Sequence, residues 1–266
     1  MLKAYKYQIF PNKSQAESIN RHLGSCRLVY NLALEVRLEA YRTQNKYLSS
    51  FDLCYQLPEL KKEFEWLQEI DSQALQASVK KIDVSFKNFL KHKAGFPKYK
   101  SKNTKQSFQC PNNTRRINWS RHTLDLPKIK KIPIAISRKF KGDIKTVTVS
   151  KTPTGKYFTS ILVDNKKELP NKPEIKPSTI IGIDLGLTHF ATLSTGEKIY
   201  NPRYLKSNLQ RLKVLQNRLN NKIKGSNNRN KAKLVVAKQY EKIYNQRTNF
   251  LHNLSTTLIR ENQTIC

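Results

Sequence analysis

A single carboxylate, Asp184, stands between two glycines in an otherwise apolar run, T-I-I-G-I-D-L-G-L-T-H-F-A-T-L, at residues 179–193. Alternate side chains of a strand point to opposite faces, so Asp184 shares its face with Gly182 and Gly186. Neither neighbour has a side chain, which leaves room for a metal ion or a phosphate to approach. We expect the carboxylate to be buried, and a buried carboxylate needs a cation nearby. The stretch therefore predicts a site for Mg²⁺ or Mn²⁺, with Asp184 as its metal-binding and catalytic residue.

Two kinds of site contain a segment of this form, and a strand-end aspartate without chemistry is a third interpretation. In RNase H-like nucleases the first aspartate bridges two metal ions that cleave a phosphodiester. In actin-like ATPases a similar I-G-I-D-L-G forms the first phosphate loop, and a second Asp/Gly segment and a Gly-rich adenosine segment follow it. Here the only glycine after Gly196 is Gly225, which lies in a basic turn. The surroundings therefore favour the nuclease-like site over the ATPase.

The chain carries a large excess of positive charge. Its 266 residues include 50 Lys and Arg against 19 Asp and Glu, a formal net charge of +31. Such an excess favours a polyanionic partner, nucleic acid first and an acidic membrane surface second. In one loop, lysines alternate with Phe96 and Tyr99, which suits phosphate contact with base stacking, although a solvated loop has the same pattern. We expect nucleic-acid contacts from this loop and from two long basic helices, at Lys98, Lys100, Lys102, Lys105, Arg203, Lys206, Arg211, Arg218, Lys222 and Arg229.

Local patterns predict the elements that position these residues. Residues 2–10 read as a strand that ends at a proline. Ser14 and Glu17 have capping-box spacing and predict the start of a long helix. Asp71 predicts the N-cap of another helix, whose apolar side chains recur every three or four residues. We therefore expect a mainly helical segment after the first strand.

From residue 107 the period of apolar side chains becomes two, as in strands. T-P-T-G at 152–155 predicts a hairpin. Several short strands in succession suggest a small β-barrel, which the strand at 2–10 can join across the helical insert. The candidate strands are 123–126, 132–137, 143–150 and 157–164.

The chain is thus predicted to be α+β and multidomain. A polar stretch with three prolines predicts a linker, and a turn at 224–230 separates two long helices with apolar stripes. These helices would leave part of their apolar faces unburied. The expected divisions are a β-barrel from residues 1–10 and 100–168, a helical insert at 11–99, a linker at 169–178, and an incomplete RNase H-like α/β domain at 179–266.

Other features limit the location and the cofactors. No apolar run reaches the length of a membrane span, and the first residues do not resemble a signal peptide, so we expect no membrane partner and a cytoplasmic, nucleic-acid-associated protein. The four cysteines are scattered and none forms C-x-x-C, so we expect no zinc site in this chain.

Several motifs together resemble the TnpB (OrfB) family of insertion-sequence-encoded proteins, which are related to RuvC-type single-effector CRISPR nucleases. They include F-P-N-K-S-Q at 10–15, A-G-F-P-K-Y-K-S-K at 94–102, the I-G-I-D-L-G run, and K-I-Y-N-Q-R-T-N-F-L-H-N-L-S-T at 242–256. The resemblance implies a wedge-like barrel, a recognition lobe in the helical insert and a RuvC-like nuclease domain. It further implies RNA-guided cleavage of DNA, with guide RNA and DNA as partners and Mg²⁺ or Mn²⁺ as cofactor. Asp184 matches the first of the family's three catalytic acids.

The sequence departs from this family in its acids. After Asp184 the chain contains only Glu197, Glu241 and Glu261, and none matches the position of a further catalytic acid. One carboxylate compensates little of the charge of two divalent cations, so metal binding should be weak or absent. We therefore expect a C-terminally truncated member that binds nucleic acid and does not cleave alone. The alternative is a Mg²⁺-dependent DNA endonuclease whose missing acids come from another chain.

Overall fold

A computed structural model describes residues 1–111, 116–168, 175–176 and 179–266, with the side chain of Arg116 excepted. The described residues form an α+β structure with helices and several sheets, divided into a first unit, Met1–Leu169, and a second unit, Pro170–Cys266. Of the predicted linker at 169–178, all but Ile175 and Lys176 lies outside the described residues.

In the first unit, a group of helices follows the first strand along the chain and precedes the remaining strands. The helices are α1 (Lys13–Gln44), α2 (Ser50–Tyr55), α3 (Leu57–Glu63), a 3-10 turn (Glu65–Glu69) and α4 (Ser72–Leu90). Asp71 caps α4, as predicted.

The start of α1 differs from the prediction. Its capping box consists of Asn12 and Gln15, not of Ser14 and Glu17. Asn12 follows Pro11 in an extended conformation, so its side chain is free to accept the backbone N–H of Gln15 at 2.9 Å. Ser14 instead donates its hydroxyl to the Asn12 side chain at 2.9 Å.

The first unit contains a four-stranded antiparallel sheet, in which the first strand pairs with a strand from the end of the unit. Its order is β1 (Leu2–Ile9), β7 (Tyr157–Asp164), β6 (Asp143–Lys151) and β2 (Gln106–Pro111). β1 pairs with β7 over its whole length, so the first strand joins the later strands across the helical insert, as predicted. The predicted hairpin between β6 and β7 is also confirmed, with Gly155 in its turn at a φ of 84°.

A smaller sheet lies next to β1 in the hydrogen-bonding pattern. It contains β3 (Arg116–Asn118), β4 (Thr123–Leu126) and β5 (Ile129–Pro133). The strand predicted at 132–137 begins earlier, because Ile129 and Ile132 pair with β4 across a bulge and are both buried. A single bridge between Ile9 and Ile134 connects this sheet to the end of β1.

The second unit contains short strands and one helical hairpin. Its elements are β8 (Ile180–Ile181), β9 (Ile183–Leu185), β10 (His189–Leu193), β11 (Lys198–Tyr200), α5 (Tyr204–Asn220), α6 (Asn227–Glu261) and β12 (Thr264–Ile265). β9, β10 and β11 form an antiparallel sheet, and β8 pairs in parallel with β12. The turn between the helices lies at 221–226, so it begins and ends earlier than the predicted 224–230, because Ser226 accepts the backbone N–H of Arg229 and starts α6.

The two units differ in how much apolar surface they bury. In the first, α1 and α4 pack over the sheet around fully buried side chains such as Leu75, Val79 and Ile82. In the second, one small cluster forms around Ile181, Leu193 and Leu258. Many side chains of the predicted α5 and α6 stripes stay exposed, as expected. No described helix is long and apolar enough to cross a membrane.

Candidate carboxylate site and nucleic-acid interface

Asp184 lies at the centre of β9, in a strand run that has hydrogen-bonded neighbours on both sides. Asp184 is in register with Thr192 of β10. On the other side, Cys266 donates its backbone N–H to Ile181 at 2.9 Å and accepts that of Ile183 at 2.9 Å. Local alternation of apolar residues explains why this stretch is extended, and its two partners hold the backbone of the site in place.

The expectation that Asp184 is buried is wrong. Its side chain is exposed, and within the described residues its carboxylate neither accepts a hydrogen bond nor forms an ion pair. The reason is that Leu258 of α6 packs against the face that carries Ile181 and Leu193, whereas the opposite face carries Asp184. An exposed carboxylate needs no cation to compensate for burial, so this part of the argument for a metal falls away.

The two glycines near Asp184 differ in whether the backbone requires a glycine there. A Cβ at Gly186 would lie 3.1 Å from the backbone oxygen of His189, so the tight connection between β9 and β10 requires a small residue. A Cβ at Gly182 would meet the Ser194 side chain at 3.4 Å, an ordinary contact. Gly182 also donates its N–H to the Ser194 hydroxyl at 3.0 Å.

The carboxylates of the described residues do not fit a two-metal site. Glu197 lies in the turn before β11, Glu241 in the middle of α6 and Glu261 at its last residue. Within the described ranges, no group of three or more His, Cys, Asp or Glu side chains is arranged to hold a metal ion. Asp184 offers one carboxylate ligand, whereas hard divalent cations need several oxygen ligands, so Asp184 alone does not make a metal site.

The basic loop between α4 and β2 is anchored to α1 at one point. Asn31 donates its amide to the backbone oxygen of Lys100 at 3.0 Å and accepts the Lys100 N–H at 2.8 Å. Three of the predicted lysines of this loop, Lys98, Lys102 and Lys105, are exposed. They are therefore available to a polyanion.

Lys100 is different from its neighbours. Its ammonium lies 3.5 Å from the centre of the Tyr30 ring and is only partly exposed. Burial, and then the positive charge of Lys81, lowers the pKa of Lys100 to about 8. Lys100 is therefore less available to a polyanion than the exposed lysines beside it.

The predicted basic residues of the helical hairpin are divided between two sides of α5. Arg211 and Arg218 are seven residues apart, so they lie within about 20° of each other and about 10 Å apart along the axis. Lys206 lies about 140° around the helix from Arg211. All three are exposed, as is Lys222 after the helix. A single-stranded nucleic acid that follows one side of α5 can therefore contact the two arginines or Lys206, but not all three.

Two predicted arginines of the second unit have partners within the chain. Arg229 is half-buried and donates Nη1 to the backbone oxygens of Leu219 and Lys222 at 3.1 and 2.6 Å. Leu219 lies in the last turn of α5 and Lys222 just after that helix, so Arg229 caps the end of α5. Arg203 is exposed and donates Nη2 to the Leu187 oxygen at 3.5 Å. A nucleic-acid contact of either arginine stays a prediction.

Sequence reasoning missed a groove in the second unit with basic and aromatic lining. It has a volume of about 530 Å³. Phe250 is its centre, with the rings of Phe190 and Tyr204 at 5.1 and 6.4 Å from its own. Arg203 and Arg247 supply positive charge beside the rings. Phe190 and Phe250 are 60 residues apart in the sequence, and only the packing of α6 on β10 brings their rings together.

Known proteins resemble most of the chain in sequence. The OrfB_IS605 family model, described as a probable transposase, matches residues 160–266, and the HTH_OrfB_IS605 model, a helix-turn-helix domain, matches residues 1–46. A "Putative RNA-guided DNA endonuclease" of Streptomyces pristinaespiralis is 37% identical over 99% of this chain and 65% of its own length. InsQ of Escherichia coli K12, named in the same way, is 31% identical over 99% of this chain and 65% of its own length. The chain therefore spans less than two thirds of the length of these relatives.

The similarity to solved structures is weaker. The Cas12f protein of a CRISPR ternary complex has a TM-score of 0.40 and 14% identity, and the match covers 95% of this chain and 62% of the Cas12f chain.

The part of the chain that matches the helix-turn-helix model does not contain two helices joined by a turn. Residues 1–46 here contain β1 and the single continuous helix α1, which runs from Lys13 to Gln44 without an internal turn.

Proposed function

Because the chain belongs to the OrfB family of IS605-type transposases, we propose that residues 1–266 bind nucleic acid, with a guide RNA and a DNA target as ligands. The observation that carries the proposal is the unbalanced positive charge of the chain, +31, much of it on exposed side chains. A polyanion neutralises such charge and releases its own counterions, which favours binding. The names of the two relatives, both putative RNA-guided DNA endonucleases, support RNA-guided action on DNA.

In this proposal the parts of the chain have separate roles. Residues 1–10 and 100–168 form a wedge-like barrel, supported by the pairing of β1 with β7 and by its bridge to the smaller sheet at Ile134. Residues 11–99 form the recognition lobe. Residues 179–266 form a RuvC-like domain, supported by the parallel pairing of β8 with β12 through a connection that includes α5 and α6.

We further propose that residues 1–266 do not cleave DNA unaided. One exposed carboxylate, Asp184, supplies a single ligand for Mg²⁺ or Mn²⁺, and metal-assisted phosphodiester cleavage uses two ions held by several carboxylates. A second candidate is a Mg²⁺-dependent endonuclease completed by carboxylates of another chain. The exposure of Asp184, which has no partner among the described residues, favours this candidate because a further carboxylate can approach it.

Binding is tested by the salt dependence of affinity for a fluorescent single-stranded RNA. Replacing Arg211 and Arg218 with alanine should lower the slope of log K against log salt by about 0.7 for each lost phosphate contact. The matched control replaces Arg21 and Lys62, which also removes two positive charges but from ion pairs with Glu69 and Glu59. Equal slope changes in both double variants would show that total charge, and not this side of α5, governs binding.

Cleavage is tested with labelled DNA, guide RNA and Mg²⁺. We expect no cleavage by the purified chain and no change in RNA affinity for Asp184→Ala. Cleavage that Asp184→Ala abolishes would contradict the proposal that the chain does not cleave DNA unaided and would support the endonuclease. Addition of a separately expressed, longer relative carrying its own Asp→Ala change at the matching position tests whether acids from another chain complete the site.

A further inference from the structure

We propose that an open pocket between the C-terminal halves of α1 and α4 binds an unpaired nucleobase of a polynucleotide. The pocket has a volume of about 470 Å³, within the range of small-ligand sites. It is lined among others by Arg37, Tyr41, Tyr47, Phe86 and Phe96. This inference rests on the proposed nucleic-acid binding and adds to it a defined site in the first unit.

An ion pair between a buried arginine and a partly exposed aspartate forms the floor of the pocket. The Arg37 side chain is 4% exposed, and its Nη1 donates to the Asp83 carboxylate at 2.5 Å. The guanidinium carbon lies 4.4 Å from the ring centres of both Tyr47 and Phe86. Asp83 also accepts the backbone N–H of Ser50 at 3.1 Å. These contacts hold both rings before a ligand arrives, which lowers the entropic cost of stacking on them.

The walls of the pocket present aromatic rings to solvent. Tyr41 is 62% exposed, Tyr47 66% and Phe96 48%. Phe96 is supported edge-on by Phe86 at 5.7 Å and by Phe89 at 5.3 Å. Large aromatic side chains are costly to leave in water, and rings fixed in this way are suited to stack on a base, whatever its identity.

The rim of the pocket is positively charged. Lys46, Lys87 and Lys91 line it and are exposed, and Asp83, the one acid among its lining residues, is already paired with Arg37. From Lys91 the chain continues into the basic loop with its exposed lysines. A polynucleotide satisfies both features, because its base fills the apolar pocket while its phosphates follow the lysines. An apolar side chain of a protein partner would leave the cations of the rim without counter-charges.

The test uses the full chain and two single-stranded oligonucleotides, RNA and DNA, that carry the fluorescent base 2-aminopurine. We expect the wild-type protein to quench the fluorescence of the base, and Tyr41→Ala with Phe96→Ala to remove the quenching and weaken single-strand binding by about 10- to 100-fold. Tyr41→Phe should bind like the wild type, because it retains the ring. The matched control is Tyr55→Ala, which removes an even more exposed tyrosine of the same unit, on α2.

The outcomes separate this inference from the proposed function. If the wild-type protein binds no RNA or DNA, the proposed function fails and the inference fails with it. If the wild type binds but the double variant, folded by its tryptophan fluorescence, binds and quenches equally well, only the inference is overturned. If the double variant keeps its RNA affinity but loses self-association in light scattering, the pocket is a protein interface and the inference is also overturned.

Discussion

Replacing Asp83 with alanine should destabilise the first unit by about 3 kcal/mol. Removal of one partner of a buried ion pair typically costs about 3–5 kcal/mol, because the remaining charge stays buried without compensation. The Arg37 side chain is 4% exposed, but Asp83 is 35% exposed, so water replaces part of the lost carboxylate and the lower end applies. About 1 kcal/mol of this loss comes from the Ser50 N–H, which the substitution leaves without its acceptor.

Removing the other partner, Arg37, should lower the free energy of unfolding by less. Arg37→Met retains most of the packing between the Tyr47 and Phe86 rings and leaves a carboxylate that water reaches, so we expect a loss of about 1–2 kcal/mol. The double variant with Asp83→Ala should be more stable than Asp83→Ala alone, because it no longer buries an unpaired cation.

Urea denaturation followed by tryptophan fluorescence measures these differences in the first unit alone. Both tryptophans of the chain, Trp66 and Trp119, belong to that unit. Stabilities should be compared at the midpoint and checked for equal slopes against urea concentration.

The stabilisation should also depend on pH. Burial acts to raise the pKa of Asp83, but hydrogen bonds from Ser50 and Arg37 outweigh it, and the pKa is lowered below its ordinary value. A carboxyl with a lowered folded pKa contributes stability above its unfolded pKa and loses it as the pH falls through the folded pKa. The difference between wild type and Asp83→Ala should therefore be full at neutral pH and shrink in acid. An Asp83→Ala cost below that of Arg37→Met, or a difference that does not change with pH, would refute this reasoning.

Three further predictions concern the loop and the helical hairpin. Lys100→Met should stabilise the first unit by about 1 kcal/mol at neutral pH, after discounting for the partial exposure of the side chain. The gain should disappear as the pH rises from about 8 towards 10.5, because burial penalises only the charged lysine. Urea titrations at both ends of that pH range measure the difference. Asn31→Ala should remove two hydrogen bonds to the Lys100 backbone and make the loop between α4 and β2 more sensitive to trypsin, whereas an unchanged digestion rate would mean that other contacts hold the loop. Arg229→Ala should lower the helix content and melting temperature of the second unit by removing two charge-assisted hydrogen bonds worth about 1.5–3 kcal/mol each at most, and hydrogen exchange at 219–226 should speed up; Arg229→Lys should rescue it only in part, because one ammonium does not have the planar fork of a guanidinium.

Much of the order of elements was predictable because it depends on residues close in sequence. The strands at 123–126 and 157–164 coincide with β4 and β7, and the Asp71 cap lies where its spacing indicated. The start of α1 was misplaced by two residues, because two overlapping sets of polar side chains allow a capping box there. Only the extended conformation of Asn12 after Pro11 selects one of them.

The sequence by itself determined the lineage, the basic character and the alternation of strand and helix, since these depend on residue identity and on periods of two or 3.6 residues. Only the tertiary structure decided that Asp184 is exposed, because exposure depends on whether a distant element covers the strand. It also decided that Arg229 caps α5 and that Lys100 lies on the Tyr30 ring. Tyr30 is distant from Lys100 in sequence, and the partners of Arg229 lie across the turn between two helices. The basic residues themselves have no local signal that distinguishes a cap from a surface available to a phosphate.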